Sequence, residues 1–185
     1  MPRARLLRGT SRAIAGAVHL GVSLRMPLVA IAWLFTLGVL AHNTEEALFL
    51  PEWSASAGRW HVPVGASEFR FAVAVFSMSL VCVVVAASVA RPGSLAAYLL
   101  SGYVLAMVLN VLAPHLVATI ATGRYMPGTA TAILFNLPLG CLFLKRALSG
   151  HYIELKVFAW SGPAVALTIA ASIPLLLAIG RKVRP

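Results

Sequence analysis

The chain alternates long apolar segments with short polar ones. Five segments are predominantly apolar: residues 27–50, 71–90, 94–122, 128–144 and 157–180. A helix of about 20 apolar residues crosses the hydrocarbon core of a bilayer. None of the five shows the period-two alternation of a membrane β-barrel strand. The pattern therefore predicts an all-α fold, an integral membrane bundle of five transmembrane helices with an amphipathic segment before it.

Breaks in the pattern divide the chain into three parts. Pro51 is expected to end the first helix, and Lys145 and Arg146 to follow the fourth. Residues 1–26 mix arginines with an apolar stretch too short to span a bilayer, which predicts a basic amphipathic arm on the membrane surface. A four-helix membrane core then occupies residues 27–149. Residues 150–185 add a C-terminal transmembrane helix and a basic tail.

Composition and charge narrow the class of protein and its partners. Hydrophobic residues make up 60% of the 185 residues and charged ones 11%, with a mean hydropathy of +0.89. A soluble domain needs more charge to cover its surface. The net charge of +10 comes largely from bases that flank the apolar segments, which favours contact with anionic lipid headgroups. Membrane lipids are therefore expected partners, and nucleic acid is not, because no basic face with interleaved aromatic residues is present.

The distribution of basic residues also predicts the orientation. With the N-terminus in the cytoplasm, nine Lys and Arg residues fall on the inner side and six on the outer side. The rule that positive charge stays inside favours this arrangement, although the bases at the C-terminus do not follow it.

Three ionisable residues interrupt the first apolar segment. His42, Glu45 and Glu46 stand at i, i+3 and i+4, which places them on one side of a helix. Glutamates near a helix end can simply reach the headgroups, but His42 lies about 22 Å along the predicted helix. Ionisable residues at such depth are costly unless they are paired, and they commonly mark a functional site.

The third segment carries polar residues at a matching depth. Asn110 lies about 24 Å and His115 about 31 Å along the predicted third helix, which runs parallel to the first. Pro114 is expected to disturb that helix and to redirect the histidine. We therefore expect both residues to meet His42 near one face of the membrane.

Imidazole and carboxylate groups in one cluster suit a divalent metal such as zinc, iron or manganese. An open coordination position would hold water, and a glutamate not bound to the metal would act as general base. Without a metal, the same groups would form a proton relay. The expected metal ligands are His42, Glu45, Glu46 and His115; the expected catalytic residues are Glu45, Glu46, Asn110 and Tyr125; Arg124 and Asn136 are expected to bind substrate.

Two blocks of the sequence resemble a known family. The stretch HNTEE at 42–46 resembles the signature of the HXXEE-motif family of small bacterial membrane proteins. A second block is similar as well, and its matching residues are His115, Tyr125, Pro127, Gly128, Thr131 and Pro138. The resemblance covers roughly residues 30–145. It implies a location in the bacterial cytoplasmic membrane and a suspected enzymatic activity, but it supplies no substrate.

Three functions remain open at this point. The first is a membrane-embedded, metal-dependent enzyme that hydrolyses or isomerises an apolar, lipid or isoprenoid-like substrate. The second is a small transporter coupled to protons or cations, although no inverted repeat is evident. The third is a structural subunit of a membrane complex.

Overall fold

The computed structural model describes residues 26–183, which form a bundle of five helices. These are α1 (Leu28–Ala55), α2 (Ala66–Val89), α3 (Leu95–Thr122), α4 (Thr129–Ser149) and α5 (Leu155–Val183). All five are long and apolar enough to cross a membrane, and the described residues contain no strand. The prediction of an all-α bundle of five transmembrane helices is confirmed. The predicted amphipathic arm covers residues 1–26, of which residues 1–25 lie outside the described part of the chain.

The expectation that Pro51 ends the first helix is wrong. Helix α1 continues through Pro51 to Ala55. Proline has no backbone N–H, so within a helix the carbonyl four residues earlier loses its usual donor. That carbonyl belongs to Ala47, and the Nε atom of Arg70 in α2 donates to it at 3.0 Å. A neighbouring helix thus satisfies the group that the proline leaves free.

Helices α3 and α4 each contain one irregular turn. In α3, Ala113 leaves helical geometry (φ −138°, ψ 122°) directly before Pro114, and the helix kinks there. In α4, a wider turn covers Ala132–Asn136. The two helices are joined through Gly123 and Gly128, both with positive φ. Wide turns of this kind often occur at functional sites, because they change the direction in which side chains project.

Packing places α3 between three other helices. It contacts α2, α4 and α5, while α1 packs against α2 and α4. Helix α5 packs on α2 and α3 and so completes the same bundle. The apolar core contains these fully buried residues: Ile31, Phe35, Val39, Leu80, Val84, Val104 and Phe143.

A second, smaller apolar cluster lies beyond the polar residues of α1 and α3, on the side away from the main core. It consists of Leu50, Trp53, Ala57, Ala118 and Met126. On both α1 and α3, the polar residues singled out in the sequence fall between the main core and this cluster. They are therefore enclosed by apolar side chains on two sides.

Candidate metal centre

His42 is held on the buried side of α1 by the turn that joins α3 to α4. Its Nδ1 atom lies 3.0 Å from the carbonyl oxygen of Gly128 and 3.3 Å from Thr131 Oγ1. A carbonyl oxygen only accepts hydrogen bonds, so Nδ1 carries the proton and Nε2 keeps its lone pair. Asn110 Nδ2 lies 3.4 Å from Nε2, as expected for a donor that faces this lone pair. The resulting tautomer is the one that binds a metal through Nε2.

His115 meets His42 from the kinked part of α3. The two rings stand edge to face with centroids 4.8 Å apart, and both side chains are fully buried. Neither ring nitrogen of His115 makes a hydrogen bond with a described residue. A buried polar atom without a partner costs roughly 1–3 kcal/mol. His115 Nδ1 is such an atom, and Nε2 has only the Glu46 carboxylate near it, so the buried imidazole favours a ligand at this position.

Glu46 lies between the two imidazoles. Its Oε2 atom is 3.6 Å from His42 Nε2, and its Oε1 atom is 3.2 Å from His115 Nε2. One donor atom from each of the three residues can be chosen so that all lie within 4.8 Å of one another. Ligands at about 2.1 Å from a tetrahedral ion are separated by about 3.4 Å. Small side-chain adjustments would therefore let the three residues coordinate one divalent ion.

Glu45 points away from this group of three. Around the axis of α1, Glu46 lies about 40° to one side of His42 and Glu45 about 60° to the other. The Oε2 atom of Glu45 accepts a hydrogen bond from Thr131 Oγ1 at 2.8 Å, and Oε1 accepts one from the Tyr125 hydroxyl. The structure thus separates two neighbouring glutamates that the sequence analysis assigned to one metal site: Glu46 faces α3, and Glu45 faces α4 and the turn before it.

Tyr125 and Glu45 form a second polar group beside the group of three. Its hydroxyl donates to Glu45 and accepts a hydrogen bond from the backbone N–H of Ala130 at 3.1 Å. Burial raises the pKa of the phenol, and the hydrogen bond to the Glu45 carboxylate raises the pKa further. Tyr125 therefore stays a neutral donor at physiological pH. It is half exposed, so this second group is more accessible than the buried imidazoles.

The two residues expected to bind substrate make no hydrogen bond with the group of three. Arg124 donates to the hydroxyl and the carbonyl of Ser56, at 3.1 and 3.4 Å, and so ties the turn to the end of α1. Asn136 is fully buried in α4, and its side-chain amide has no hydrogen-bond partner among the described residues. The amide is therefore available to a ligand, whereas the guanidinium of Arg124 has a structural contact.

Two residues of the site were not assigned a role from the sequence. Gly128 supplies the carbonyl that orients His42, and Thr131 Oγ1 contacts His42, Glu45 and the same carbonyl. In the sequence, Gly128 and Thr131 stand out only among the residues that carry the family resemblance. The sequence feature that indicates this role is the threonine three residues after the glycine, because that spacing places its hydroxyl beside the turn at Gly128.

Comparisons with known proteins agree with this arrangement of motifs. The model of a family described as "Protein of unknown function with HXXEE motif" matches residues 33–143. The uncharacterised protein YrkK of Bacillus subtilis (strain 168) is 34% identical over 151 residues, which cover 82% of this chain and 96% of that protein. No solved structure matches the chain. Since the family model matches more than half of the chain and the relative aligns over most of it, the chain belongs to the HXXEE family.

Proposed function

We propose that this chain is a membrane-embedded, metal-dependent enzyme that acts on a lipid or isoprenoid-like substrate. The observation that supports the proposal best is the convergence of His42, Glu46 and His115, with the His42 tautomer oriented by Gly128. Two imidazoles and one carboxylate are a ligand set of zinc hydrolases and of non-haem iron enzymes. Zinc, iron and manganese are the candidate ions.

Three protein ligands leave a coordination position open. An ion held by His42, Glu46 and His115 would supply Lewis-acid chemistry and the activation of water near neutral pH. Asn110, whose amide faces His42 Nε2, would orient the reacting group. Glu45 would act as general base or acid, because it is connected to His42 through Thr131 Oγ1 and its other oxygen is shared with Tyr125. Hydrolysis and isomerisation both use these roles.

The surroundings of Glu45 and Tyr125 support an apolar substrate. Both side chains reach the surface between α1 and α4. Exposed apolar side chains lie on α1 and α4, among them Leu37, Leu48, Phe49, Ile133 and Leu134. A substrate with an apolar tail would approach along this surface and present its polar group to Glu45 and Tyr125.

Metal analysis of the full chain, purified in detergent, tests the proposal. We expect about one equivalent of zinc, iron or manganese per chain. His42→Ala, His115→Ala and Glu46→Gln should each lose the ion. His61→Ala and Glu52→Gln, outside the group of three, serve as matched controls and should keep it.

Two other outcomes would contradict the proposal. A wild-type protein without bound metal that carries a pH-dependent flux in liposomes would indicate the proton-coupled transporter instead. Equal loss of metal in the control variants would show that the three residues hold no specific site.

We further propose that the protein resides in the bacterial cytoplasmic membrane with its N-terminus in the cytoplasm. The excess of basic residues on that side supports this orientation. The ends of α1 and α3 that carry the candidate site then lie toward the outer face. Reporter fusions after residue 60 and after residue 150 would test it, and activity of an outer-face reporter at 60 and an inner-face reporter at 150 is expected.

A further inference from the structure

A crevice separates the start of α2 from the end of α5, on the same side of the bundle as the candidate metal centre but outside it. Its volume is about 220 Å³, and its lining consists of Ser67, Arg70, Phe71, Ala74, Gly180 and Val183. Ser67 lies near the end of the membrane span, and Ala74 lies about 10 Å deeper along α2. The crevice is thus polar at its mouth and apolar toward the membrane interior.

Positive charge predominates around the mouth. Arg70 lines the crevice, Arg181 and Lys182 are exposed residues that follow Gly180 of the lining, and Glu68 forms an ion pair with Arg181. Glu68 Oε1 lies 3.4 Å from Arg181 Nη1 and accepts a hydrogen bond from the backbone of Gly65 at 3.1 Å. Among the described residues, Arg70 and Lys182 have no carboxylate partner. A ligand in this position would therefore have to be anionic to complement the charge.

Arg70 is one of the residues that line the crevice. Its Nε atom donates to the carbonyl of Ala47, which fixes the side chain against α1. Its terminal amino groups make no hydrogen bond with a described residue, so they can bind phosphate oxygens. Gly180 keeps the two helices close, because a Cβ atom at this position would lie 2.8 Å from Glu68 Cα.

We propose that this crevice binds one anionic phospholipid, with the phosphate at Arg70 and Ser67 and an acyl chain along Phe71 and Ala74. The exposed cations select an anionic headgroup over a zwitterionic one. The apolar part of the lining selects a lipid over free phosphate. The site is independent of the proposed metal centre, since it shares no residue with it.

Native mass spectrometry of the full chain in detergent tests the proposal, with phosphatidylglycerol and phosphatidylcholine of equal acyl length as probes. We expect one phosphatidylglycerol to bind in preference to phosphatidylcholine. Arg70→Gln should weaken phosphatidylglycerol binding about fivefold, the equivalent of roughly 1 kcal/mol. Arg59→Gln removes an exposed charge on the same side of the bundle, outside the crevice, and should bind the lipid as the wild type does.

Ala74→Trp keeps every charge and fills the apolar part of the crevice. We expect it to lose the lipid, while its helical content and metal content remain those of the wild type. Equal binding of the two lipids, or equal binding by Arg70→Gln and Arg59→Gln, would overturn the proposal. So would unchanged binding by Ala74→Trp together with displacement of the lipid by inorganic phosphate, because the crevice would then be a simple anion site.

Discussion

At the residue scale, Gly128 determines whether the two imidazoles and the carboxylate can meet. Its φ is +92°, a region that residues with a side chain rarely adopt. A Cβ atom there would lie 2.8 Å from Cε1 of both His42 and His115 and 2.9 Å from Glu46 Cγ. The absence of a side chain therefore creates the space in which the three residues converge, and the backbone carbonyl of the same residue orients His42.

Gly128→Ala should consequently remove the metal and destabilise the protein. The positive φ alone costs about 1 kcal/mol for alanine, and the contacts with His42, His115 and Glu46 add to this. Metal content and thermal unfolding of the purified protein measure both effects. Gly123→Ala is the matched control, because its φ is also positive but a Cβ atom there meets nothing within 4 Å. A variant at 128 that kept its metal would contradict this account of the site.

Glu45 and Glu46 make different contacts, so variants of the two residues should differ in metal content. Glu45→Gln should keep its metal, since Glu45 contacts Tyr125 and Thr131 and lies outside the group of three donors. Glu46→Gln should lose it, because the amide places a donor between His42 and His115. Measuring the metal content of the two purified variants tests this difference. The same loss in both would mean that Glu45 is a ligand after all.

Tyr125 also gives a residue-scale prediction about pH. Its pKa is raised by burial and by the Glu45 carboxylate. A raised pKa in the folded state stabilises the protein below the ordinary value of about 10, and this contribution disappears as the pH rises through the folded value. The difference in phenolate absorbance between wild type and Tyr125→Phe should therefore develop above pH about 10. A component that titrates below that value would contradict the contact with Glu45.

At the element scale, the kink of α3 brings His115 into the site. Ala113 departs from helical geometry before Pro114, and a wider turn in α4 packs against this region. A proline removes a backbone hydrogen bond and clashes with the preceding turn, so the helix cannot pass this point regularly. Regular α-helical geometry there would change the direction of the His115 side chain relative to His42 and Glu46.

Pro114→Ala should therefore weaken metal binding, by about tenfold or more, because displaced ligands no longer match the coordination distances. Competition with a chelator of known affinity measures the change. Pro174→Ala, in α5, is the control for loss of a proline within a membrane helix. If both variants kept the wild-type affinity, the kink would not be needed for the site.

At the scale of the whole molecule, a metal would connect parts of the bundle that are distant in sequence. His42 and Glu46 belong to α1 and His115 to α3, and the turn before α4 supports His42. Ligands that bind only the folded state increase the free energy of unfolding, by roughly 2.7 kcal/mol at a hundred times the dissociation constant. The bundle and the candidate site should therefore be stabilised together.

Added metal should raise the unfolding temperature of the wild type, and a chelator should lower it. His42→Ala should respond to neither, because the ion has lost a ligand. Thermal unfolding in detergent measures this, with His61→Ala as the variant that should respond as the wild type does. An equal response from His42→Ala would place the stabilising ion elsewhere.

The sequence alone determined the class of fold and the level of the site along two helices. The length of each apolar segment is set by the thickness of the bilayer, so five segments predicted five spanning helices. Because each residue of an α-helix adds the same rise, the sequence also placed His42 and His115 at similar depths before any packing was known.

Only the tertiary structure decided which side chains meet. Which side chains meet depends on the direction in which each one projects from its helix and on which helices pack together. The depth of a residue along its helix gives neither of these. Glu45 and Glu46 are adjacent in sequence, yet one faces α4 and the other α3. The roles of Gly128 and Thr131 depend on how the turn folds back over α1, and the Ala47 carbonyl that Pro51 leaves free is satisfied by Arg70 of α2. These contacts join residues far apart in the chain, so they exist only once the bundle has packed.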